Sequence, residues 1–260
     1  MLGLLPRHDE RDVQRIRCGC PHCFSKNNTM IKDPHTTGLS LIDTDELEKY
    51  FRILTAQVGT LPSHLEGGLS IGVEVFTLSE GFGLAPAALQ GVWQHSVRTG
   101  YIAARIAFSQ QAHPDVAWQA FVGGLLHDIG LLVFLTQEPQ VFMTVVELAQ
   151  SRGEELGTIE RNLLGTTHAK SGATFLSRWG VHPDLLDIVM FHDQPFHSRH
   201  AEFCPLTAVY IANVLEGGGI AQDGDGVVGW EGEAYLLALD LWDQLPCWQE
   251  WMREISPLTV

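Results

Sequence analysis

From residue 47 onward the apolar positions of this chain recur at three- and four-residue spacing, and the strict alternation of half-buried strands is missing. Asp43 and Glu46 read as a helix N-cap and its reciprocal partner, after which Leu47, Phe51, Leu54 and Val58 carry a helix to Gly59. Between Leu61 and Gly83 glycines interrupt the pattern at 67, 68, 72, 81 and 83, so that stretch predicts a helix only over 73–79. The signal then strengthens. Trp93, Val97, Tyr101, Ala104 and Phe108 form one stripe after Pro86, Ile102 and Ile106 a second, so this helix is expected to be buried on two sides. Pro114 suits a first helical position, and Val116, Ala117, Phe121, Leu125 and Ile129 lead that helix into His127-Asp128. Further helices are predicted on Val141, Val145, Leu148 and Ala149, on 159–164, on His168, Gly172, Leu176 and Trp179, on Leu185, Ile188, Val189 and His192, and on 204–216. One or two more close the chain around Pro246, after a glycine-rich loop. The fold class is all-α, divided into an irregular arm over 1–40, a helical lead-in over 41–90, a core over 91–216 and a loop with C-terminal helices over 217–260.

Charge narrows the function. The net charge is −15, and residues 1–40 hold six Lys/Arg against four Asp/Glu, which leaves ten against 27 for the other 220. After Arg199 only Arg253 is basic, so a groove that neutralises a phosphate backbone is excluded and no nucleic-acid partner is expected. The apolar run over 120–135 is broken by His127 and Asp128 and falls short of a bilayer span, which predicts a soluble chain with no membrane role. Five cysteines, three of them at 18, 20 and 23, do not form an evenly spaced disulfide framework and point to a reducing, cytoplasmic setting.

Four histidines change the picture further. His95 shares a face with Ile102 and Ile106, His127 ends an apolar helix, and His168 and His192 lie on the apolar faces of theirs. Any one of them alone reads as a hydrogen-bonded core residue. Four on successive helices, with Asp128 beside one and Asp193 beside another, read differently. Unpaired imidazoles buried together are costly, whereas a divalent ion satisfies several lone pairs at once. Imidazole and carboxylate donors suit Fe, Mn, Zn, Ni or Co.

Trp93-Gln94-His95-Ser96, the run from Gly124 to Gly130, Glu160 with Leu164-Gly165-Thr166-Thr167-His168-Ala169, Trp179-Gly180-Val181-His182-Pro183 and His192-Asp193-Gln194-Pro195 together resemble the HDOD branch of the HD superfamily. The resemblance spans roughly 91–216. It implies an HD-domain-like helical bundle whose relatives act mostly as signalling output modules in bacteria, while catalytic HD proteins are metal-dependent phosphohydrolases and phosphodiesterases. By that resemblance His95, His127, Asp128, His168 and His192 are metal ligands, Glu160 and Asp193 additional ones, and Asp128 the residue that bridges or orients the ions in any catalysis. The ions would acidify a bound water and neutralise phosphate charge. Where catalytic relatives of the HD-GYP type have a lysine after His-Asp-Ile-Gly, this chain has Leu131; Asp193 stands for a second histidine, Asn213 for a late aspartate, and their Gly-Tyr-Pro sequence is absent. The usual amino-terminal helical subdomain is not recognisable in residues 1–90.

The implied role is regulatory, with a signalling protein partner or a small phosphorylated ligand, and hydrolysis of a phosphoester or cyclic nucleotide is the alternative. Receiver or cyclic-dinucleotide domains commonly accompany such modules, and any such partner would have to act from another chain. Cys18, Cys20 and Cys23, with His22, offer a possible second metal or redox site, though C-x-C-x2-C lacks the second knuckle of a zinc ribbon. Asp223-Gly224-Asp225-Gly226 opens like a calcium loop, but Val227 and Ala234 fill ligand positions and a solvated turn is the better reading. Trp242, Trp248 and Trp251 are expected in packing.

Overall fold

Among the residues that the computed structural model describes, 42–217 and 230–255, every regular element is helical. The helices are α1 (Asp45–Val58), α2 (Ser63–Ser79), α3 (Pro86–Ser109), α4 (Pro114–Leu126), α5 (Ile129–Gln137), α6 (Pro139–Arg152), α7 (Leu156–Leu164), α8 (His168–Arg178), α9 (Pro183–Phe191), α10 (Pro205–Leu215), α11 (Trp230–Ala238) and α12 (Leu245–Ile255). Five of them start on a proline, whose missing N–H costs nothing where no acceptor precedes it. The arm over 1–40, its three cysteines and the calcium-like loop at 223–226 lie outside the described residues.

The 24-residue α3 is the spine, with α4 and α10 packed along it. Its backbone meets that of α4 where Gly100 faces Gly124: a Cβ on Gly124 would lie 2.5 Å from the Gly100 Cα. Side chains are excluded there, so His95 on α3 is drawn in beside His127 at the end of α4. A second close approach joins α5 to α8, where a Cβ on Gly130 would strike the carbonyl oxygen of His168 and lie 2.9 Å from the Gly172 nitrogen. That contact sets His168 against Asp128. Around these crossings Trp93, Trp118 and Phe121 are fully buried, each burial contributing about 2–3 kcal/mol. Both indoles remain satisfied: Trp93 Nε1 donates to the Asp43 carbonyl at 2.7 Å and Trp118 Nε1 to that of Gly59 at 3.1 Å.

Several sequence expectations need correction. Helix α2 starts at Ser63, ten residues before the predicted 73, because its glycines are contact points rather than breaks. A Cβ on Gly68 would fall 2.7 Å from Leu185 and one on Gly72 3.1 Å from Leu125. Phe108 and Val141, placed on apolar stripes, are 49% and 46% exposed, since each lies near a helix end beyond the reach of the core. The segment Pro114–Gln137 is, by length and composition, long and apolar enough to cross a membrane. Its most apolar window is nevertheless 78% buried among the other helices, as a core helix is, and His127-Asp128 breaks it. At the C-terminus Trp248 is buried, and the Arg105 guanidinium lies 4.6 Å over the Trp251 ring, so these tryptophans do pack.

Candidate metal centre

Two helices deliver the central imidazoles by the same local device. Each begins His-Pro-Asp: His113 Nδ1 accepts from the Asp115 N–H and His182 Nδ1 from that of Asp184, both at 3.3 Å. Each ends His-Asp. The Nδ1–H of His127 donates to the Gly124 carbonyl at 2.6 Å and that of His192 to the Val189 carbonyl at 2.8 Å. A carbonyl can only accept, so these contacts fix the proton on Nδ1, satisfy an orphan carbonyl of the last turn, and leave both Nε2 atoms for the interior. The two rings lie 4.9 Å apart and both are fully buried.

His168 opens α8 from the other side. Thr167 caps that helix by accepting from the Lys170 N–H, after Gly165, at φ 73°, has ended α7. Glu160, fully buried on α7, takes both the His168 backbone N–H at 2.9 Å and its Nδ1–H at 2.8 Å. Nε2 of His168 therefore faces Nε2 of His192, 3.2 Å away. Mid-way along α3, His95 places its Nε2 3.2 Å from His127 Nε2 and 3.0 Å from Asn213 Oδ1.

Asp128 joins the two imidazole pairs. Its Oδ2 lies 3.2 Å from His127 Nε2 and 3.6 Å from His95 Nε2; its Oδ1 lies 3.5 Å from His192 Nε2 and 3.6 Å from His168 Nε2. Asp193 adds a second carboxylate, its Oδ2 3.2 Å from His168 Nε2 and its Oδ1 3.2 Å from His192 Nε2. Two triads result, His95–His127–Asp128 and Asp128–His168–His192, each with donor atoms that fall within 4.8 Å of one another and could hold a metal ion.

Burial opposes charge on every member, and the carboxylates reverse its effect selectively. Burial, aided by repulsion from His127, lowers His95 to about 4, so it stays neutral near pH 7. For His192 burial is outweighed by Asp193 and Asp128, which raise it to about 9; for His168, Asp193 and Glu160 outweigh burial and hold it well above the ordinary value. Against burial, Asp128 is held below the usual carboxylate range by His127 first and then by His192 and His168, and Asp193 by His192 and His168. Without metal, two protons, on His168 and His192, compensate the carboxylates, and one divalent ion carries the same charge. The donor chemistry fits: imidazoles with Nδ1 engaged and Nε2 converging on shared carboxylates are what a borderline divalent metal requires.

The family model of the HDOD domain matches residues 68–195. This segment is an HDOD domain. An uncharacterized protein of Treponema pallidum (strain Nichols) is 27% identical over 124 residues, 47% of this chain and 24% of that protein, so the match spans about a quarter of that relative's length. The crystal structure of an HDOD domain protein of unknown function from Geobacter sulfurreducens superposes with a TM-score of 0.51 and 20% identity, over 72% of this chain and 69% of that one. At that identity the likeness establishes the fold.

Within the HDOD domain His95, His127, Asp128, His168, His192 and Asp193 converge as donors. Glu160 does not. Its carboxylate sits behind His168, on the far nitrogen, and orients the ring instead. Leu131 is 2% exposed and belongs to the core, so this position brings no positive charge to the site. Asn213 does reach the cluster, as an amide against His95. Sequence reasoning missed Arg98 and Glu216. They meet at 3.0 Å beside a cleft of about 320 Å³ that is also lined by Gln94, His95 and Asp128. The available signal was spacing, since Arg98 follows His95 by three residues on the same helix.

Proposed function

We propose that this HDOD domain is a regulatory signalling module whose His/Asp cluster holds one or two divalent ions, and that it acts by binding a ligand or protein partner. The observation that carries the reading is Asp128, which turns opposite oxygens toward two separate imidazole pairs and so suits two adjoining ion sites. His95, His127, His168, His192, Asp128 and Asp193 would hold the ions, which supply Lewis acidity and neutralise negative charge on a ligand. Fe, Mn, Zn, Ni and Co all match this donor set. Support for binding over rapid turnover comes from Asn213, an uncharged amide against His95, and from Leu131, buried where hydrolytic relatives carry a lysine.

A second reading, a metal-dependent phosphohydrolase, is favoured by one observation: the cleft reaches Asp128 and His95 from outside. One experiment separates the two. Protein loaded in turn with each of the five ions is assayed on phosphomonoesters and cyclic dinucleotides. The regulatory reading expects retained metal and no turnover with any ion. Metal-dependent turnover that disappears in Asp128→Ala would replace it with the hydrolase.

A further inference from the structure

Two rungs of equal length connect α3 to the end of α10. His95 meets Asn213 at 3.0 Å, and three residues further along both segments Arg98 meets Glu216 at 3.0 Å. The first rung belongs to the donor cluster. The second opens on the same cleft, and Arg98 contributes the guanidinium that lines it.

A purely structural staple between two helices would favour a two-pronged contact with every donor satisfied. The Arg98–Glu216 pair is different. One hydrogen bond joins Nη2 to Oε1, while the buried Nε of Arg98 has no hydrogen-bond partner among the described residues. The side chains are 18% and 7% exposed, so a strong charge-assisted donor is largely shielded from water while its Nε–H is left unpaired among the described residues. Gly91, two turns before Arg98 on the same helix, leaves open space beside it in the cleft, and the volume suits a small ligand. A planar guanidinium beside a divalent-ion site has one natural counterpart, a ligand with several oxyanion oxygens.

We infer that Arg98 is the specificity-determining cation of this cleft: it receives a phosphate-type oxyanion from a ligand seated over Asp128 and His95, and Glu216 holds the guanidinium in place as an internal substitute for that anion. This rests on the reading of the His/Asp cluster as a metal site, and it supplies from α3 the positive charge that Leu131 cannot.

The test is calorimetric titration of metal-loaded protein with inorganic phosphate, for the wild type, Arg98→Gln, Arg98→Lys and Glu216→Gln, with metal content measured on every sample. Arg98→Gln should weaken phosphate binding roughly tenfold or more, the value of a hydrogen bond to a charged group. Arg98→Lys should recover part of it. Glu216→Gln should tighten binding, because the competing carboxylate is gone, and this arm decides the matter if Arg98→Gln does not fold. Unchanged affinity in a folded Arg98→Gln protein, weakened affinity in Glu216→Gln, or no phosphate binding by metal-loaded wild type would overturn the inference and leave the metal site standing. Wild-type protein that takes up no metal would overturn both.

Discussion

Glu160 grips His168 twice, accepting its backbone N–H and its Nδ1–H with a carboxylate that is fully buried. The contact ties the start of α8 to α7 and at the same time selects the nitrogen that His168 presents to Asp128, Asp193 and His192. A carboxylate behind a metal-facing histidine raises the ring's basicity and fixes its orientation. Glu160→Gln keeps the volume and one acceptor but loses the charge. Its affinity for divalent metal, read by chelator competition, should fall roughly 10- to 100-fold. Equal affinity in the two proteins would show that Glu160 is only a structural buried acid.

The crossing of α5 and α8 leaves no room for a methyl group at Gly130. Gly130→Ala should lower stability by about 2–3 kcal/mol or more in urea unfolding, because the obstacle is backbone and cannot turn aside. Gly67→Ala, in an exposed stretch of α2 with nothing within 4 Å, should instead stabilise by about 0.4–1 kcal/mol. The opposite signs separate a packing glycine from an incidental one.

Loading with metal near pH 7 should expel protons, one each from His168 and His192, because an Nε2 that binds an ion must give up its hydrogen. Calorimetry in buffers of different ionisation heat reads this as a buffer-dependent enthalpy. A buffer-independent enthalpy would place these imidazoles neutral before binding.

The same protons shape the stability of metal-free protein. His192 titrates near 9 when folded and near the ordinary 6.5 when unfolded, so its contribution is complete below 6.5 and is lost as pH rises through 9. His95, lowered to about 4, acts oppositely: the unfolded chain gains a proton that the folded one refuses, and stability falls as pH drops from 6.5 toward 4. Thermal unfolding of chelated protein should therefore show losses on both sides of neutrality. Metal should flatten the alkaline side, where it replaces the His192 proton.

Much of this centre was legible in the sequence, and the reason lies in helix periodicity. His95, His168 and His192 announce themselves as polar residues on apolar faces, and His127-Asp128 as a polar interruption of the most apolar stretch. The adjoining glycines misled over 63–72 because spacing alone does not distinguish a glycine that breaks a helix from one that lets a neighbour in. Gly68 and Gly72 do the latter, against Leu185 and Leu125 from distant segments. Glu160 was legible as a participant but not as an orienter, since its role depends on which nitrogen of His168 it faces. Arg98 and Glu216 are 118 residues apart, and no local pattern joins them.

Elemental analysis decides whether the His/Asp cluster holds divalent metal. Protein purified without chelator or affinity metal is compared with the His127→Ala/Asp128→Ala variant. About one to two equivalents of Fe, Mn, Zn, Ni or Co are expected in the wild type and lost in a folded variant. Well-folded wild-type protein that carries no metal, and takes up none when each ion is supplied, would contradict metal binding by the cluster.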